Sequence, residues 1–144
     1  MLAALGAIAF AGCATSGTAP VDARWLAPAQ AVQLAADAAP RGVKGVFALQ
    51  VRATGRQGEM AYLNSETDYR DQRNLSIALE PQAVRQLGER LGADPLEALK
   101  GRRILVDGEA RRTTIVFYAD GVATDKYYYQ TQVRVTRAEQ ITVQ

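Results

Sequence analysis

At 144 residues the chain holds enough for one domain with a real core and too little for two ordinary ones. Its 48% apolar and 22% charged residues are those of a globular protein rather than a disordered one, and a net charge of +2 does not by itself argue for nucleic acid. Histidine is absent and Cys13 is the single cysteine, which excludes Ser-His and Cys-His nucleophilic pairs, imidazole bases, His-ligated metals, an intrachain disulfide and a cysteine-cluster zinc site.

Residues 2–12 are wholly apolar or small. A run of about 11 residues is too short to span a bilayer and the right length for the core of a signal peptide. It ends in Phe10-Ala11-Gly12-Cys13, which resembles the lipobox of bacterial lipoproteins. The resemblance implies a signal peptide over residues 1–12, cleavage before Cys13, a diacylglycerol on its thiol and an acyl chain such as palmitate on the new amine. Small residues let the backbone enter a peptidase cleft, and the thiol is the nucleophile for the lipid. Several acyl chains attach a protein stably to the lipid bilayer where one is marginal. Ala14 rather than Asp after the cysteine resembles sorting to the outer membrane, facing the periplasm. A signal of this kind normally starts with Lys or Arg, and residues 1–5 have neither. Residues 13–24 are small and polar and read as a flexible tether ahead of a domain over 25–144.

The Ala-rich stretch 28–39 predicts a short helix stopped by Pro40, with Trp25 and Leu26 pinning it to the domain. Residues 45–53 alternate Phe47, Leu49 and Val51 against Ala48, Gln50 and Arg52, a half-buried strand. The two glycines of TGRQGE predict a turn, EMAYLNS a returning strand, ETDYRDQRN a charged loop and NLSIALE a third strand. Pro81 opens a helix with Val84, Leu87, Gly88 and Leu91 on one stripe, and Gly92 closes it. Asp94-Pro95 caps a further helical turn. The fourth strand is the long RRILVDGEARRTTIVFY, with a bulge or bend expected at Gly108. ADGVATD predicts a hairpin loop, KYYYQTQVRVT a fifth strand, and QITV closes the chain.

Five short strands with a helix between the third and fourth, and a short N-terminal helix, predict a mainly β domain with the order of an OB-fold, a small Greek-key barrel. Tyr62-Leu63-Asn64-Ser65-Glu66-Thr67-Asp68-Tyr69-Arg70 and Leu99-Lys100-Gly101-Arg102-Arg103-Ile104-Leu105-Val106-Asp107-Gly108 also resemble bacterial OB-like domains with the patterns YLN-x-E-x-DYR and LKG-(R/K)-(R/K)-I-x-V-x-G. That resemblance covers about residues 43–144 and implies fold more than function, because OB-folds serve many ligands.

Asn64, Glu66, Asp68 and Asp71 could hold a cation, but their spacing is not the twelve-residue calcium loop, and Arg70 and Arg73 are interleaved. A structural loop is the preferred reading: Asp and Asn form local turns, the arginines pair with neighbouring carboxylates and Tyr69 packs, with no metal and no cofactor. OB-folds bind oligonucleotides or sugars across strands two and three with basic and aromatic side chains. Tyr62, Tyr69, Arg70 and Arg73 fall there, Arg52 and Arg134 lie on predicted strands, and Tyr128 stands among three tyrosines that could form a glycan platform. No carboxylate pair stands out, and the calcium-and-arginine motif of thermonuclease-type hydrolases does not map onto the chain. The expectation is a non-catalytic binding or interaction module, with an envelope protein or glycan as ligand. The alternative is a nucleic-acid-binding or nuclease-like OB domain.

Overall fold

The computed structural model describes residues 24–144. The expected signal peptide, the lipidation site Cys13 and all of the expected tether but Arg24 lie outside the described residues. The fold is mainly β: among the described residues eight strands form one mixed, open sheet. In chain order they are β1 (Trp25–Leu26), β2 (Val43–Gln50), β3 (Ala53–Gln57), β4 (Met60–Asn64), β5 (Leu75–Leu79), β6 (Arg103–Ala119), β7 (Val122–Val135) and β8 (Ile141–Val143). The sheet order is β1-β2-β6-β7-β5-β4-β3, with β8 beside β6. Only β1–β2 and β5–β7 run parallel. Among the described residues no helix is long and apolar enough to cross a membrane.

The count differs from the expected five strands for local reasons. The expected first strand, 45–53, breaks at Val51-Arg52. Val51 bonds toward β6 through Arg102 and Gly101, whereas the Arg52 N–H donates to Asn64 O at 2.8 Å. Most of TGRQGE, expected as a turn, is β3, paired with β4 from Ala53↔Asn64 to Gln57↔Met60. The turn itself shrinks to Gly58-Glu59, with Gly58 at φ 60°. Trp25 and Leu26 form a strand of their own beside Val46 and Phe47.

The core lies between the inner face of the sheet and its helices. It joins Phe47, Leu63, Ile77, Ile104, Val106 and Val133 to Ala31, Ala35, Leu87 and Leu99, all fully buried. Helix α1 (Pro28–Ala38) packs on β2 and β6 through Ala31 and Ala35, one helical turn apart. Helix α2 (Pro81–Leu91) starts at its proline and ends at Gly92, which takes the left-handed conformation and donates to Gly88 O at 2.9 Å. Its buried centre is Ala83 and Leu87, with Val84 and Leu91 only partly buried beside them. Helix α3 (Pro95–Leu99) is capped by Asp94, whose carboxylate accepts from the Leu96 N–H at 2.8 Å. β5 is buried along its whole length. A parallel neighbour such as β7 requires a long crossover, and α2, α3 and β6 supply it.

The expected bulge at Gly108 is not there. The β2–β6 ladder runs straight through Gly45↔Gly108, and the irregularity falls at Val116/Tyr118. Glycine serves close packing at 108, since a Cβ there would come within 2.7 Å of Val133 Cγ1. Beyond Ala110, β6 pairs with β7 alone among the described residues. The two strands run on as an arm, turned at Asp120-Gly121, both with positive φ. Asp-Gly suits that tight turn, so the expected loop ADGVATD contracts to two residues.

Gly108→Ala should destabilise the fold by about 1–3 kcal/mol in urea unfolding. Combined with Val133→Ala, which removes the obstructing methyls, the double variant should lose less than the sum of the two single losses. Strict additivity would show that the contact is not what excludes a side chain at 108.

Candidate functional site

A cleft of about 550 Å³ opens where the β6–β7 arm faces β3 and β4. Its floor follows from strand register. Ala53, Asn64, Ser76 and Gln132 stand side by side across β3, β4, β5 and β7. Tyr128 and Gln130 continue along β7 at two-residue steps, on the same face as Gln132. Ile115 is paired with Tyr128 on the facing strand, and Phe117 packs against Tyr128 with ring centroids 5.4 Å apart. Four of the chain's six tyrosines line the cleft: Tyr62, Tyr69, Tyr118 and Tyr128.

The loop over 65–74 is built from one unit used twice. In Asp68-Tyr69-Arg70 and again in Asp71-Gln72-Arg73, the aspartate accepts from the backbone N–H two residues on at 2.9 Å and from the same residue's guanidinium. Successive turns join Asp71 N to Asp68 O and Asn74 N to Asp71 O. The expected pairing of Arg70 and Arg73 with neighbouring carboxylates therefore describes the ion pairs of the loop. Tyr69 departs from the expectation: it does not pack, but is 53% exposed at the cleft, with the Arg70 guanidinium 5.6 Å from its ring centroid.

Buried amides hold this loop to the sheet. Asn74 Nδ2 donates to Asn64 Oδ1 at 3.0 Å and to Tyr69 O at 3.3 Å, and Asn74 Oδ1 accepts from the Glu66 N–H at 3.1 Å. Ser76 Oγ donates to the same Asn64 oxygen at 2.9 Å, and Ser65 Oγ accepts from the Leu75 N–H at 2.8 Å. The Tyr69 carbonyl also accepts from Gln130 Nε2, which donates to the Tyr128 hydroxyl at 3.0 Å. Burial, followed by the proximity of Tyr69, raises the Tyr128 pKa above the usual tyrosine value, so its hydroxyl keeps its proton.

Tyr62, Tyr69 and Tyr128 of the expected site thus meet in one cleft, with Arg70 beside Tyr69. The other three arginines lie elsewhere. Arg73 is held by Asp71, and Arg134 by Glu80. Arg52 pairs with Glu66 at 3.3 Å in a separate shallow groove near Pro28 and Arg103. Residues the pattern did not single out complete the cleft: Gly55 and Arg56 on β3, Phe117 on β6, and Gln130 and Gln132 on β7. The alternation Tyr128, Gln130, Gln132 was the available signal for the last two. Arg56, the one cation in the cleft wall among the described residues, is tied to Asp94 at 2.7 Å.

No family model matches the chain, and no curated protein matches it. Among solved structures it is similar to a Leishmania major Friedlin protein assigned as an aspartyl-tRNA synthetase, with a TM-score of 0.42 and 12% identity, over 92% of this chain and 23% of that one. The chain spans about a quarter of that protein's length, and the likeness is too distant to bear on function.

Asn74→Ala leaves Asn64 Oδ1 and the Glu66 N–H each short of a partner. It should cost about 1–3 kcal/mol and speed amide exchange at Glu66 above that of the wild type; unchanged exchange would detach the loop from this network. Acid should act on the same loop. Arg73 holds the Asp71 carboxyl down to about 2, and Arg70 lowers that of Asp68. A depressed folded-state pKa contributes stability above the unfolded value of about 3.9, lost as pH falls through the folded one. With no histidine in the chain, thermal melts should be flat from about pH 8 to 5 and fall below about pH 4.

Proposed function

We propose that the chain is an outer-membrane lipoprotein, anchored through acylated Cys13 and facing the periplasm, whose domain is a non-catalytic binding module with its ligand in the aromatic cleft. The observation that carries the module reading is the make-up of the cleft. Aromatic rings surround a floor of amides and a hydroxyl, and no carboxylate, amine or thiol lines it among the described residues. Such groups stack and hydrogen-bond, whereas hydrolysis by paired carboxylates needs a pair. A polyanion is a poor match, because Arg56 and Arg70 already have carboxylate partners and few phosphates could be neutralised. The lipid anchor rests on the apolar run and Phe10-Ala11-Gly12-Cys13.

The finer fold reading is an OB-like sheet. The two halves β2 and β3 follow one another in the chain and stand near opposite ends of the ladder path. The step at Val51-Arg52 passes from the β6 side to the β4 side within two residues. Taken as one bent strand, β2–β3 leaves five main strands, with α2 between the third and fourth and a parallel third–fifth pairing. OB-folds use the face of their second and third strands, between the first and last hairpins. Here those strands are β4 and β5, and the cleft lies over them between β3–β4 and the β6–β7 arm.

Growth with a labelled palmitate analogue should tag the protein, and Cys13→Ala should abolish the tag; an untagged wild type contradicts the anchor. Gly55 gives a probe of the module. Its Cβ would meet nothing within 4 Å and its backbone is not in the left-handed region, so Gly55→Trp should fold and fill the cleft. Pull-down from crosslinked envelopes should recover a partner that Gly55→Trp loses. Equal recovery by both would move the ligand away from the cleft.

A further inference from the structure

Resting on the reading of this cleft as a ligand site, we infer that its ligand is a neutral oligosaccharide. The direction of the hydrogen bonds decides which groups remain for a ligand. Gln132 Nε2 donates to Gln130 Oε1 at 2.8 Å, and Gln130 Nε2 donates to the Tyr128 hydroxyl. The Gln132 carbonyl is left to accept, and the Tyr128 O–H is left to donate outward. Across the floor, Asn64 Oδ1 takes donors from both Asn74 and Ser76, which leaves Asn64 Nδ2 to donate. No buried side-chain polar atom among the described residues lacks a partner, so this free nitrogen is one that reaches the cleft.

The floor therefore offers a donor, an acceptor and a second donor, all uncharged, beneath aromatic rings. A sugar matches this set: each hydroxyl both donates and accepts, and its C–H face lies on an aromatic ring. A phosphodiester offers only acceptors. It would strip water from the Gln132 carbonyl and give it no donor, with both nearby guanidinium groups already paired. The cleft volume is in the range of sites for small molecules and short oligomers, which enter a concavity rather than a flat interface.

The test probes the full-length chain, purified in detergent, on an array carrying neutral oligosaccharides, acidic oligosaccharides and single-stranded oligothymidine. Retention on neutral sugars should hold from low to high salt and fall at least about tenfold in Gly55→Trp and in Gln132→Leu, which removes the acceptor. A blank array, or retention only on acidic sugars or oligothymidine that salt removes, would overturn the inference. The envelope pull-down separates this failure from that of the broader reading. A partner lost with Gly55→Trp beside a blank array leaves the module standing without the sugar, whereas no cleft-dependent partner beside a blank array removes both.

Discussion

The side-chain oxygen of Asn64 accepts two hydrogen bonds in a buried site, from Asn74 on the loop and Ser76 on β5. Its backbone oxygen accepts from Arg52, where the chain leaves β2 for β3. One residue therefore joins the step between two strands, the third strand beside it and the loop that carries Tyr69. An amide oxygen is suited to this because its two lone pairs accept two donors at once, and at such a site each unmet group costs about 1–3 kcal/mol. A leucine at 64 would keep the backbone bond from Arg52 but remove the acceptor that Asn74 Nδ2 and Ser76 Oγ share. The polar centre is what allows a loop of charged residues to end as a fixed wall.

Small residues do the complementary work. Ala31 and Ala35 bring α1 close to the sheet, and Gly108 makes room for the Val133 side chain of the neighbouring β7. The arm then extends beyond the core and leaves Val116, Phe117, Tyr118, Tyr127 and Tyr129 exposed. Its inner face supplies Phe117 and Tyr128 to the cleft. On the outer face, Arg112 stands 4.4 Å over the Tyr129 ring, and Tyr127 meets Tyr129 edge-on. The cleft is thus walled by an aromatic hairpin and a pinned loop, over a floor set by strand register.

Much of this was legible residue by residue. Pro81 and Gly92 bracket α2 because one fits a first helical position and the other a left-handed cap. The alternation in 45–51 reads as strand because one face is buried. β3 was hidden because Gly55 and Gly58 together look like a turn, although only Gly58 needs positive φ. Gly108 looked like a bend because a glycine's close contact is made by a residue distant in sequence, here Val133. Three of the seven residues expected at the site line the cleft, all tyrosines. The pairing of Arg70 and Arg73 with carboxylates two residues away was legible, whereas that of Arg52 with Glu66 and of Arg134 with Glu80 was not, because it joins residues distant in sequence.

The proposed ligand site is the cleft, and it does not depend on the proposed lipid anchor. Hydrogen exchange of the full-length chain, with and without solubilised envelope material, addresses that directly. It should show added protection confined to 53–57, 67–70, 115–118 and 128–132, the segments that wall the cleft. Protection confined to the groove beside Arg52 or to the surface around Arg134 and Glu80, with the cleft segments unchanged, would contradict it.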